Sequence, residues 1–145
     1  MPLTQAIFRT LSSSKFHSTD ILPPGLLVTA KGFPDLSTRE FLHLLSSVDY
    51  RHNLLSPLPM FCLVDNDPYG LGIYGVYKYG GEKLSAIERE RLALTELRFL
   101  GIRAGDFKNE EGIIRLTERD RRKIDVMTKK EWVQGEMEVM YSLRK

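Results

Sequence analysis

The chain has 145 residues, 42% hydrophobic and 28% charged, the balance of a globular protein with one core and not two. Its net charge of +2 makes no case for nucleic acid unless the cations cluster, and a single cysteine excludes an internal disulfide, which suits a reducing compartment. No apolar run is long enough to span a membrane and no secretory leader opens the chain, so a soluble intracellular protein is expected.

Leu3 to Leu11 reads as a short helix with Ala6, Ile7, Phe8 and Leu11 on a partial apolar stripe. A polar connector through Ser12-Ser13-Ser14 and His17-Ser18-Thr19-Asp20 leads to a break at Pro23-Pro24-Gly25. Leu26 to Thr29 predicts a short strand ending at Ala30-Lys31-Gly32. A second helix is expected after Pro34-Asp35: Ser37 with Glu40 three places on makes a capping box, and Phe41, Leu44, Leu45 and Val48 recur on one face, expected to be buried. Leu54 to Pro59 is a loop carrying two prolines.

The most informative run follows. Met60 to Val64 is apolar and ends in Asp65-Asn66-Asp67, after which Pro68 and Gly70 start a new element. This reads as a buried strand that delivers Asp65 and Asp67 to the carboxyl edge of a sheet, where a helix begins. Two carboxylates crowded there repel, so one must hold a proton unless a cation sits between them. Hard oxygen ligands suit Mg²⁺, which keeps several waters and bridges to phosphates. The same residues also read more plainly: Asp67 before Pro68 is an N-cap followed by proline at the first helical position, and Asp65 is then a solvated turn residue. Spacing alone leaves both readings open.

In the helix that follows, Leu71, Ile73, Tyr74 and Tyr77 fall on one stripe, while Gly70, Gly72 and Gly75 each cost roughly 1 kcal/mol against alanine. That cost implies close packing on the sheet or close approach of a ligand. Glu88 to Arg91 is a solvated helix face or loop, and Leu97 to Ile102 a further strand. Thr117 with Asp120 caps a helix running through Lys130, and Trp132 to Leu143 is amphipathic, with Val133, Met137, Met140 and Tyr141 on one side. Strand and helix alternate from Leu26 to about Ile102, so the expected fold is α/β: a mostly parallel sheet with helices on both faces, and Lys31 and Asp65 at carboxyl strand ends. His17, His43 and His52 show no ligand spacing. Arg119, Arg121, Arg122, Lys123, Lys129 and Lys130 form a basic stretch interrupted by Asp120 and Asp125, which reads first as a solvated face and second as a DNA track.

Two ordered motifs add a resemblance. Ala30-Lys31-Gly32-Phe33-Pro34-Asp35-Leu36-Ser37-Thr38-Arg39 followed by Leu63-Val64-Asp65-Asn66-Asp67-Pro68-Tyr69-Gly70 resembles the Toprim domain of topoisomerase VI A subunits and their eukaryotic relatives, the meiotic double-strand-break proteins of the sporulation-eleven type. Val76-Tyr77-Lys78-Tyr79-Gly80, Phe99-Leu100-Gly101, Leu116-Thr117-Glu118-Arg119-Asp120 and Glu136-Met137-Glu138 are similar to further segments of that family. The resemblance runs from about Ala6 to the end, making residues 1–145 a single Toprim-like (Rossmannoid) domain, incomplete at its N-terminus.

That resemblance implies Mg²⁺-assisted DNA double-strand breakage by transesterification from a tyrosine, in a homodimer with a topoisomerase VI B-like accessory subunit, in the nucleus on chromosomes. It implies Asp65 and Asp67 as the Mg²⁺ ligands, and Lys31 and Arg39 as DNA contacts, with Lys31 either offering a point charge to phosphate or standing as a solvated loop lysine. For Arg39, a structural pair with Asp35 that holds the loop is the favoured reading. Departures limit the carry-over. Leu3 stands where the family has a first-strand glutamate, Ala30 replaces a usual glycine, and no tyrosine has the context of the family's nucleophile, which lies in a preceding winged-helix domain. A fragment, a truncated gene product or a degenerate paralogue is expected, one that binds metal weakly and does not cut DNA alone. The rival reading is a non-catalytic interaction or DNA-binding module in which Asp67 only caps a helix; a phosphotransferase with an aspartyl nucleophile is a distant third, because Tyr69 stands where such chemistry wants a small hydroxyl.

Overall fold

The structure, a computed structural model, describes residues 3–14, 25–47, 58–101 and 115–136. Its elements run α1 (Leu3–Ser13), α2 (Leu36–Ser46), β1 (Phe61–Leu63), α3 (Pro68–Tyr79), α4 (Ala86–Leu92), β2 (Arg98–Leu100), α5 (Glu118–Met127) and α6 (Glu131–Gly135). The fold is mixed α/β, and β1 and β2 pair in parallel with Cys62 opposite Phe99. A parallel pair needs a long crossover, and the helices α3 and α4 supply it.

The centre forms where β1 and α3 meet. Cys62 of β1 and Val64 just after it are buried while Phe61 and Leu63 are exposed, the period-two pattern of a strand. Leu71 and Tyr74 of α3 pack on them, and Leu94, Leu97, Met127 and Val133 close the cluster from the later segments. Leu71, Tyr74 and Val133 are the most fully buried side chains, each contributing about 1.5–3 kcal/mol for its apolar part. Tyr74 packs edge-on against Phe99, and its hydroxyl donates to the Leu97 carbonyl at 3.5 Å. Burial pushes the Cys62 thiol up to about 12, so it is an inert core group. Ile73 and Tyr77 border the cluster, as the helical stripe predicts.

The carboxyl end of α3 is tied down by polar contacts. Glu136 Oε1 accepts from Lys78 Nζ at 2.6 Å and from the Tyr79 hydroxyl at 2.6 Å, and Lys78 donates to the Tyr74 hydroxyl at 3.1 Å. Tyr79 stacks on Trp132, whose ring lies so close to Gly75 that a side chain there would meet it. α3 ends at Gly80, in the left-handed region at φ 86°, and the Arg39 guanidinium donates to the Gly80 carbonyl.

Four local expectations are corrected. The start of α2 is capped by Asp35, whose carboxylate accepts from the Thr38 amide at 2.7 Å, and not by Ser37 with Glu40. Asp35 follows Pro34 in extended backbone, one step outside the helix, the place from which a carboxylate reaches the third helical amide. α2 also turns a different face inward: Arg39 is buried and Leu42 touches the core, while Phe41 and Leu44 are exposed and Leu45 half-buried. The orphan carbonyl at the end of α3 needs a donor, and Arg39 meets that need. The predicted strand at Leu26–Thr29 joins no ladder among the described residues, and Leu26, Leu27 and Val28 remain exposed. The Thr117–Asp120 capping box forms as expected, but α5 stops at Met127 and Lys130 caps the separate α6. The connector from residue 15, the break at Pro23-Pro24, Val48, Ile102, Met137, Met140, Tyr141, His17 and His52 lie outside the described residues.

Candidate functional site

β1 runs straight into the acidic turn. Val64 is buried, Asp65 half-buried, and after the bend at Asn66-Asp67 the chain enters α3 at Pro68. Asp67 is the N-cap: its Oδ1 accepts from the amides of Tyr69 at 2.8 Å and Gly70 at 2.6 Å. Gly70 is required because a Cβ there would drive into the backbone carbonyl of Asp65, so the glycine lets the helix start press against the strand end. The plain helix-cap role of Asp67 is therefore real. It engages one oxygen of that side chain and leaves Oδ2 without a donor among the described residues.

The electrostatics of the turn are unsatisfied. Asp65 accepts no hydrogen bond from the described residues, and burial first, then the charge of Asp67, raises its pKa above the ordinary carboxylate value. Between the two acids, the Asn66 side-chain oxygen is buried with no hydrogen-bond partner among the described residues. A repelling carboxylate pair beside an orphaned carbonyl oxygen fits a hard cation that brings its own waters, and two carboxylates are a sufficient protein share for Mg²⁺. Among the described residues no group of three or more His, Cys, Asp and Glu side chains converges. Two carboxylates fit a hydrated cation better than a fully protein-enclosed one.

The other expected residues are placed differently. Lys31 is exposed in the loop after Ala30, with φ 60°, and its amide donates to Thr29 Oγ1 at 3.2 Å; among the described residues its side chain forms no ion pair. Arg39 is 5% exposed and bound to Gly80, so its guanidinium faces the protein and not a phosphate. The Asp35–Arg39 pair does not form: Asp35 caps α2 while Arg39 reaches the end of α3.

Sequence reasoning missed what α5 brings to this edge. Lys123 lies over the Tyr69 ring, 3.2 Å from its centroid, and 5.7 Å from that of Phe33; Arg119 lies 5.7 Å from the Tyr69 centroid. The spacing i, i+4 marks Arg119 and Lys123 as one helix face, but nothing local says that this face meets a turn about fifty residues earlier.

Residues 4–145 match the family described as the Toprim domain of topoisomerase 6 A subunits and Spo11. Among similar proteins, the meiotic recombination protein SPO11 of Homo sapiens is 33% identical over 145 residues, covering 93% of this chain and 34% of that protein. Meiotic recombination protein rec12 of Schizosaccharomyces pombe is 34% identical over 143 residues, 97% of this chain and 37% of that protein. Meiotic recombination protein SPO11-1 of Oryza sativa subsp. indica is 34% identical over 125 residues, 83% and 30% respectively. The chain thus spans about a third of the length of these relatives.

Proposed function

The chain belongs to the Toprim-domain family shared by topoisomerase VI A subunits and Spo11, and from that premise we propose that it supplies the metal-binding part of a machine that breaks both strands of DNA in meiotic recombination. Residues 1–145 are read as one Toprim domain, a Rossmann-like and mostly parallel sheet with helices on both faces, of which β1 and β2 are the described pair. The working assembly is a homodimer on DNA with a topoisomerase VI B-like accessory subunit, in the nucleus. The observation that supports this reading best is the half-buried Asp65, without a hydrogen-bond donor among the described residues, set against Asp67 at the carboxyl end of a parallel strand.

Asp65 and Asp67 would hold Mg²⁺, which, when bound, neutralises charge on the transferring phosphate. The protein's own part is geometric. The Asp67 cap fixes the helix start, Gly70 keeps the strand end close to it, and Asp65 stays half out of water where its charge acts strongly. Lys31, exposed in its loop, would meet a phosphate, whereas Arg39 braces α2 against the end of α3. None of the six tyrosines is assigned as nucleophile, so these 145 residues by themselves are expected to leave DNA uncut.

Titration with Mg²⁺ or Mn²⁺, followed by NMR or calorimetry, tests the reading. Weak binding that disappears in Asp65→Ala is expected; tight binding indifferent to that change would overturn it. The double amide capping by Asp67 favours one second reading, a non-catalytic interaction module, which predicts no metal-dependent change at all.

A further inference from the structure

Beside the acid pair, α5 presents cations that the described fold leaves without an acidic partner. Lys123 is half-buried and Arg119 exposed, and neither forms an ion pair with a described residue. One oxygen of each neighbouring carboxylate is engaged locally, Asp120 Oδ2 by the Thr117 amide at 2.9 Å and hydroxyl at 2.6 Å and Asp67 Oδ1 by two amides, and neither carboxylate forms an ion pair with Lys123 or Arg119. Burial lowers the Lys123 pKa most; the charge of Asp67 opposes this, and the charges of Arg119 and Lys130 add to the lowering. Two cations laid over one aromatic ring, neither in an ion pair with a described carboxylate, leave room for an anion from outside.

We propose that Arg119 and Lys123, laid over the Tyr69 ring, form a clamp for a DNA backbone phosphate next to the one addressed by Asp65 and Asp67. The inference rests on the reading of the acid pair as facing DNA, and it names a contact that pair cannot make. Carboxylates repel a phosphodiester, so a strand held at this rim needs fixed cations on either side of the metal position. Tyr69 is the second residue of α3, two positions after Asp67, so a phosphate held over its ring lies within a nucleotide's reach of the acids. The ring also fixes the Lys123 ammonium in place, which limits the ordering cost on binding.

The test is binding of the 145-residue chain to a short DNA duplex, measured by fluorescence anisotropy across a salt series in EDTA. Without metal, the acid pair contributes only repulsion, so this readout is independent of the Mg²⁺ titration above. Lys123→Gln and Arg119→Gln are each expected to flatten the slope of log K against log salt by about 0.9 and to weaken binding alike on unrelated duplex sequences. Lys123→Arg should restore the slope. Wild-type slopes in both Gln variants, or no duplex binding by the wild type at low salt, would overturn the clamp while leaving the metal reading standing. Loss of binding in Lys123→Arg as well as Lys123→Gln, with a matching fall in thermal stability, would show Lys123 to be only a strut between α5 and α3.

Discussion

The two ends of α3 differ in how they treat charge. At the carboxyl end, Lys78, Tyr79, Tyr74 and Glu136 satisfy one another within 3.1 Å, and Trp132 covers them. At the amino end, Asp65 lies half-buried beside Asp67, Asn66 has an orphaned oxygen, and Lys123 crowds Arg119. Both ends belong to one twelve-residue helix on one core, so burial alone does not explain the difference. A group that the fold completes is structural; a group that the fold leaves incomplete is open to something from outside.

Substitutions at each end sharpen the contrast. Gly70→Ala should have the largest effect, about 3 kcal/mol of lost stability in chemical denaturation, because its methyl meets the Asp65 backbone and the helix start must move. Glu136→Gln follows at about 2 kcal/mol, since it strips the charged acceptor from a partly buried lysine. The Glu136 pKa is lowered in the fold: burial alone would raise it, but bonds from Lys78 and Tyr79 outweigh that. Its contribution is therefore present above the ordinary glutamate pKa and lost as pH falls through the lowered one, and the variant should lack that acid limb.

At the open end the sign reverses. The Asp65 pKa is raised, so the folded state holds this proton more tightly than the unfolded one, and stability falls as pH rises through the raised value. Asp65→Asn should thus stabilise the metal-free protein near neutral pH, by no more than about 1 kcal/mol once solvent screening is allowed for, with thermal melts as readout. The same change should abolish the gain that Mg²⁺ gives the wild type. Destabilisation by Asp65→Asn would contradict the claim that this end is unsatisfied. The smallest and most discriminating pair is Asp67→Ala against Asp67→Asn. A cap alone predicts a loss of about 1 kcal/mol for Ala and little for Asn. A ligand adds metal-dependent stabilisation that both changes weaken.

Much of this was legible in order along the chain. The strand–acid–helix sequence from Phe61 to Tyr79, the Thr117 cap and the core face of α3 all follow from patterns a few residues long, because backbone hydrogen bonding and side-chain period are local properties. The glycine cost reads correctly as close packing on the strand end at Gly70, whereas Gly75 makes room for Trp132 and Gly72 meets only ordinary contact with Phe33. The face of α2 did not, because the choice between Phe41 and Arg39 was made by a carbonyl at Gly80, forty-one residues away. The sequence by itself determined that two aspartates stand at the end of a strand and the start of a helix. Only the tertiary structure decided that Arg39 turns inward, that Glu136 completes Lys78, and that Lys123 comes to rest on Tyr69, since each depends on which distant group remains unsatisfied when the elements pack.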